Sequence, residues 1–495
     1  MVQGNRDILP HKGVGTASRR GWAARKASPL RDHVAGTVVA RRDVVTEAPS
    51  RRPNGVIAAL LAVAIVAGAG WGTRRYAARL AASEVQAVAA CDVPFKSQTL
   101  TLQRAALASG NVLPIYGSSE LFCCGSPFRP TEVFASRPTA FGVLPVGHAG
   151  TADLFFLQTF AALGHDLRGK KLVLSASPPW FTHRDGADRR EYAGNFLPEL
   201  AYAFMFEAPI SFPLRQAGAR RMLAYPDTLQ DTLLRVAAED LVHPTLMHRV
   251  AYLALAPAGH VMTWLLHVLD AGRTVSFVWG PGRSCPHTSS SPMSPDWVRM
   301  AARATHIAER RDTNNPFGFP DKTYGRLLRR RPKISEALEV YQSGGTNRDG
   351  TLLPPPTTWE LTMSRSAEWT DLRLALRVLH ELEARPLVWT LPLPGAFDNY
   401  TQLSVVARRS YYDRYEHIAE RAKVPSLDFR TDEEDPYFLT DPGSHLSTRG
   451  WVFADRVLDM FWHDRSSAEI QSALDTLAEQ VPSGSPPADH RRAGG

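Results

Sequence analysis

The sequence predicts an α/β domain: a sheet with helices on its faces and a largely helical insertion, preceded by one N-terminal transmembrane helix. Three observations point there. Residues 55–71 run seventeen positions without a charge. Short apolar runs at 111–116 (NVLPIY), 171–176 (KLVLSA) and 386–393 (PLVWTLPL) are bounded by turn residues and read as buried strands. A strongly helical stretch at 369–384 leads straight into the third run, and strand, helix, strand in that order builds a sheet covered on its faces.

At the N-terminus, charge needs locating before it is interpreted. The chain of 495 residues carries a formal net charge of +8, which on its own suggests nucleic acid. Residues 1–54 hold eleven Lys or Arg and four Asp or Glu, a net +7, so about +1 remains for everything after them. No basic domain is left to grip phosphates, and a nucleic-acid partner is excluded. The segment 1–54, rich in Arg, Ala, Gly and Ser, lacks the apolar surface to fold alone and reads as a disordered basic cytoplasmic tail.

The uncharged run after it is at the lower length limit for crossing ~30 Å of hydrocarbon as a helix. Trp71 and Tyr76 sit at one end, as interfacial aromatics do, and the anchor is placed at 55–76. Ala67-Gly68-Ala69 resembles a signal-cleavage site, but a 54-residue leader is too long for an ordinary n-region. Arg41, Arg42, Arg51 and Arg52 on one side nearly balance Arg74, Arg75 and Arg79 on the other. The whole tail tips orientation toward a cytoplasmic N-terminus and a single-pass protein of the cell (inner) membrane, its domain outside.

Residues 77–90 then read as a helix leaving the membrane, within an extracytoplasmic α/β domain placed at 77–465. Between 185 and 340 the strand signal fades into Ala-, Leu-, Arg- and Met-rich helical spacing, the mainly helical insertion. Inside it, residues 247–269 are apolar enough for a second span but contain His248, Arg249, Pro257, His260 and His267. A packed or membrane-surface helix fits those residues better. Residues 342–356 read as an exposed loop, and 466–495 as a flexible C-terminal tail. Of the four cysteines, Cys91 and Cys285 are the candidates for a long-range disulfide, while adjacent Cys123 and Cys124 rarely bond each other; four ordinary buried thiols fit equally. No Cys or His spacing resembles a metal site, and nothing calls for a cofactor.

Two segments carry candidate chemistry. Tyr116-Gly117-Ser118-Ser119-Glu120-Leu121 follows the first strand, where open α/β sheets place ligands and where a helix start offers amides to an oxyanion. Asp441-Pro442-Gly443-Ser444-His445 lies near the other end and supplies a base with a carboxylate to orient it. Taken singly, the first is equally a helix cap and the second a surface loop.

Together, Gly-x-Ser after a first strand and Asp with His on a late loop resemble the SGNH or GDSL hydrolase layout, with its three-layer parallel sheet. Further segments in order resemble the DltD family, the D-alanyl transfer proteins of the cell envelope. They are the single anchor, LPIYGSSEL at 113–121, LSASPPWF at 174–181, LPLPGAFDNYTQLS at 391–404 and DPYFLTDPGSHLSTRGWVFADRVLDMFW at 435–462. The resemblance implies Ser119 as nucleophile, His445 as general base and Asp441 as its orienter. It implies the amides of Ser119 and Gly150 at the oxyanion, Glu120 as helix cap or substrate contact, and Trp180 in the pocket or the core.

Two positions depart from the family pattern. Asp441 lies four residues before His445 where three is usual, which leaves Asp435 as another candidate orienter. Pro179 stands where the family has Gln, and proline brings neither a side-chain donor nor an N–H. The implied function is D-alanyl transfer to an envelope polymer in teichoic acid biosynthesis. Its implied partners are a membrane-bound O-acyltransferase, a D-alanyl carrier protein, the polymer acceptor and the membrane. The residues also allow an SGNH-type esterase or polysaccharide O-acetyltransferase, or a non-catalytic scaffold of a membrane acyltransferase.

Overall fold

A computed structural model describes residues 53–123, 125–135, 137–280, 285, 295–311, 363–395, 398, 403–441 and 443–484. The tail at 1–52, the loop at 342–356 and the insertion's last part, 312–340, lie outside the described residues. Two compact units divide the chain, Met1–Leu60 and Leu61–Gly495. Among the described residues the first holds only the start of helix α1 (Pro53–Val88).

Five parallel strands form the sheet of the second unit: β1 (Val112–Gly117), β2 (Gly142–Gly147), β3 (Lys171–Ala176), β4 (Arg385–Thr390) and β5 (Ser426–Asp428). Their order is β2-β1-β3-β4-β5. The chain therefore reverses direction across the sheet between β1 and β3, and the crevice at such a switch point is where doubly wound sheets bind ligands. The expected strands at 111–116, 171–176 and 386–393 are β1, β3 and β4.

Side chains alternate between two cores with the period of two that a strand imposes. Val112, Tyr116, Leu144, Val146, Leu172, Leu174 and Val388 join one buried cluster. Leu113, Ile115, Val143, Val173, Leu387, Trp389 and Leu427 join the other. The first cluster is covered by α2 (Leu100–Ser109), α4 (Asp153–Leu163), α6 (Pro198–Phe206), α7 (Phe212–Met222), α8 (Thr232–Val242), α11 (Glu368–Glu381) and α12 (Val405–Ala422). The second is covered by α10 (Trp297–Arg311), α13 (Thr448–Trp462) and α14 (Ser467–Gln480). These are the three layers of the expected α/β fold.

Short α3 (Pro130–Val133) precedes β2, and α5 (Arg189–Asn195) opens the run of helices after β3. The longest helix of that run is α9 (Leu246–Trp279), and a disulfide joins Cys91 to Cys285 just beyond it. Near the C-terminus, β6 (Leu439–Asp441) and β7 (His445–Leu446) form a separate antiparallel hairpin.

The C-terminal segment differs from expectation. Ser467–Gln480 is a helix, not a flexible tail. Ser466 and Glu469 form a reciprocal capping box, and Ile470, Leu474 and Leu477 recur at helical spacing on the face buried against the core.

Candidate active site

β1 ends at Gly117, and the chain turns at once into a short 3₁₀ helix, Ser119–Leu121. A Cβ at Gly117 would fall 2.5 Å from Glu120 Oε1 and 2.9 Å from Leu121. Only glycine admits the turn that lifts Ser119 to the carboxyl edge of the sheet. Across the strand pair stands Gly147, with φ at +140°; a side chain there would run into the Gly117 carbonyl oxygen.

Ser119 Oγ lies 2.9 Å from His445 Nε2. On the far side of the ring, Nδ1 is 2.9 and 2.8 Å from the two Asp441 oxygens. The Gly443 amide donates to Asp441 Oδ1 at 2.8 Å and holds the carboxylate in place. The spacing of four residues is met by hairpin geometry. Asp441 pairs with His445 across the β6–β7 ladder, and the turn closes with Ser444 in the left-handed region at φ +61°. Asp435 is engaged elsewhere: it pairs with the buried Arg449 at 2.6 Å and accepts the Tyr437 amide at 2.9 Å.

The other sequence-selected residues take varied positions. Glu120 is buried beneath the turn, where its Oε1 accepts the Ser118 amide at 2.7 Å. Burial raises its pKa, while the Ser118 amide, the charge of His445 and the Ser175 hydroxyl pull it back. It is near His445 and shielded from solvent. Gly150, at φ +78°, gives its amide to Ser118 Oγ at 3.0 Å. Trp180 is buried in a 3₁₀ turn, Pro178–Thr182, with its ring 6.0 Å from that of Phe156 in α4. Pro178 and Pro179 open that turn, a place where a missing N–H costs nothing.

The loop between β2 and α4 is tied down from several directions. Gln98 accepts the Gly147 amide at 2.7 Å, and Thr151 Oγ1 donates to the Gly117 carbonyl at 2.8 Å. Asn195 Nδ2 donates to the Ala149 carbonyl at 2.9 Å. Next to Asn195 in α5, Glu191 lies against Gly150, so close that a Cβ there would meet its side chain at 2.7–2.9 Å. Burial raises the Glu191 pKa and Asp188 adds to the rise, while His183 opposes it.

Behind the loop, Asp153 starts α4 and its amide donates to Glu368 Oε1 at 2.7 Å. Both carboxyls are fully buried, and desolvation holds both well above the ordinary carboxylate range; the Asp371 charge adds to the rise of Asp153, and the Asp153 and Asp371 charges add to that of Glu368. Sequence reasoning missed Glu191, Asn195 and this carboxyl pair. Asp153 and Glu368 stand 215 residues apart, and no local pattern joins them.

One grouping of metal-ligand types occurs among the described residues: Cys123, Asp441 and His445, with donor atoms within 4.8 Å of one another. Cys123 is disulfide-bonded, so its sulfur is not a thiolate, and the other two residues already face each other. The donor set does not fit a metal ion.

With this geometry in view, the chain was compared with known proteins. The family described as DltD protein matches residues 92–463. Protein DltD of Bacillus subtilis (strain 168) is 27% identical over 369 residues, covering 74% of this chain and 87% of that protein. Protein DltD of Staphylococcus aureus (strain NCTC 8325 / PS 47) is 21% identical over 349 residues, covering 70% and 80%.

Proposed function

The chain belongs to the DltD family, and on that premise we propose a membrane-anchored acyl-transfer protein of D-alanylation that works through Ser119, His445 and Asp441. The observation that carries this reading is the line of short contacts from Ser119 Oγ through His445 to Asp441 at the sheet's switch point. Residues from two distant parts of the chain meet there in the order a nucleophile, a base and an orienting carboxylate require.

His445 Nε2 takes the hydroxyl proton as Ser119 Oγ attacks the carbonyl carbon of an acyl donor. The carbonyl oxygen gains the charge and turns to the Ser119 amide. Collapse breaks the bond to the leaving group, which departs with the proton held by His445, and an acyl ester remains on Ser119. A hydroxyl of the envelope polymer then attacks that ester and gives its proton to His445. The proton returns to Ser119 Oγ as the acylated polymer leaves. Asp441 keeps Nδ1 protonated throughout, so that Nε2 is the nitrogen that takes up and returns the proton. The Gly150 amide joins the oxyanion site when the Ser118 hydroxyl turns away from it.

Two features support D-alanyl over a neutral acyl group and an outside location over a cytoplasmic one. The Glu191 carboxyl against Gly150 is a counter-ion for an ammonium beside the reacting carbonyl. The Cys91–Cys285 disulfide suits an oxidising compartment beyond the anchor α1. A membrane-bound O-acyltransferase would supply or share the acyl group, and a teichoic acid hydroxyl would receive it.

An activated-serine probe such as a fluorophosphonate, applied to the full chain in detergent, tests the reading. Labelling of wild type that vanishes in both Ser119→Ala and His445→Ala is the expected result. A folded wild type that takes no label, or a Ser119→Ala variant that labels equally well, overturns it.

A further inference from the structure

Helix α9 has its polarity reversed relative to an ordinary surface helix. From Leu61 onward, every large hydrophobic residue left exposed among the described residues, except Val298, Val405 and Val406, lies on α1 or α9. On α9 these are Leu246, Met247, Val250, Leu253, Val261, Leu265, Leu269 and Trp279, spaced so that they form one stripe.

Three ionisable groups of the same helix point the other way, while Arg249, exposed near its start, lies over the Phe212 ring at 4.8 Å. Asp270 is buried and accepts the Leu100 and Thr101 amides at 2.8 and 3.0 Å. His267 is 3.0 Å from Glu207, and Arg273 pairs with Glu199. A helix that turns Asp270, His267 and Arg273 inward and Leu, Val and Trp outward is built for an apolar neighbour.

The anchor says which neighbour. Gly70 of α1 fits so closely against α9 that a Cβ there would fall 2.5 Å from Trp264 and 3.1 Å from Val268. Further on, the Tyr76 and Trp279 rings meet edge to face at 6.2 Å. The end of α1 that carries Trp71 and Tyr76 therefore abuts α9, and the exposed stripe continues the apolar surface of the anchor. The opposite face of α9 is packed on α6 and α8, with the Phe206 ring against Gly259 and the Tyr252 hydroxyl bonded to the Met205 carbonyl. Those contacts prevent α9 from crossing the bilayer by itself.

We propose that α9 lies in the membrane interface, with its apolar stripe sunk into the acyl chains of the leaflet that receives the C-terminal end of the anchor. The inference rests on α1 being embedded. Its consequence is mechanical: one spanning helix leaves a domain free to swivel, and a second line of lipid contact removes that freedom. The Ser119 site then keeps a fixed attitude to the membrane.

The test uses the full chain in phosphatidylcholine–phosphatidylglycerol vesicles containing a diazirine-bearing phosphatidylcholine, with adducts mapped by mass spectrometry after photolysis. Adducts on Leu253, Val261, Leu265 and Leu269 together with α1 are expected, and none on the helix face that carries Asp270. Adducts on α1 alone overturn the inference and assign the stripe to solvent or a protein partner. Adducts on neither helix overturn the anchor reading, and the inference falls with it.

Discussion

Asp441 and His445 stand opposite each other across the β6–β7 hairpin, so the carboxylate reaches the imidazole across a ladder and not along a single strand. Asp435, the other carboxylate on this segment, is committed to Arg449. The two residues separate in experiment. Asp441→Asn should lower turnover roughly 10²–10⁴-fold with little change in melting temperature, because the asparagine amide favours the wrong imidazole tautomer. Asp435→Asn should leave the rate of folded protein intact but cost about 1–3 kcal/mol, because the buried Arg449 guanidinium loses its carboxylate and keeps only Thr305 and the Val481 carbonyl. Rate and thermal melting measured on both variants decide it; a large rate loss confined to the Asp435 variant would reverse the assignment.

Glu120 is a second carboxylate close to the base, reached from below. Burial raises its pKa and the charge of His445 lowers it, so the two groups are electrostatically linked. Glu120→Gln keeps an oxygen to accept the Ser118 amide, so the turn should hold. The acid limb of the kcat/KM profile should move to lower pH, with the plateau within about tenfold of wild type. A profile that keeps its position while the plateau collapses would make Glu120 purely a brace for the turn.

How much of this was legible in the chain depends on distance along it. β1, β3 and β4 are apolar runs with clean boundaries, and they could be read one at a time. β2 (FGVLPVG over 141–147) is broken by two glycines and a proline, and β5 spans only Ser426–Asp428, so neither resembles a strand in isolation. Ser119 stood out because it follows an apolar strand directly, and Asp441 and His445 because they lie together on one late loop and, with Ser119, match a known layout. Glu191 and Asn195 meet the Gly147–Thr151 loop only after α5 folds over it, and such contacts leave no mark on local sequence. Glu368 likewise becomes a partner of Asp153 only when α11 packs against α4. The helix at 467–480 was present in the capping pattern and its spacing, but the Pro, Gly and Arg beyond it hid the signal.

Asp432 makes stability depend on pH in a direction opposite to the usual carboxylate. Burial, with Asp435 nearby, raises its pKa to about 8 despite the opposing charge of Arg449. The folded chain therefore keeps a proton that the unfolded chain has lost above about pH 4. Unfolding free energy should fall as pH rises from about 4 through 8, since the folded state binds the extra proton. Asp432→Asn should flatten that slope: stability near that of wild type at pH 4 and higher than wild type at pH 8.5. Urea midpoints at the two pH values test the sign, and an equal change at both would exclude titration of Asp432 as the cause.

Glu191 offers the sharpest test of which acyl group the site accepts. Its side chain lies against Gly150 on the loop that follows β2; burial and Asp188 raise its pKa, and the nearby His183 opposes them. In a D-alanyl ester the ammonium sits two bonds from the reacting carbonyl carbon, whereas an acetyl ester has no charge to offer. Losing a hydrogen bond to a charged group costs about 1.5–3 kcal/mol. Glu191→Gln should therefore lower kcat/KM for a D-alanyl aryl ester roughly 10–100-fold. It should leave the matched acetyl ester within about twofold. Equal losses on both esters would make Glu191 a support for the loop and nothing more. No loss on either would remove it from the site and leave the choice of acyl group to residues outside α5.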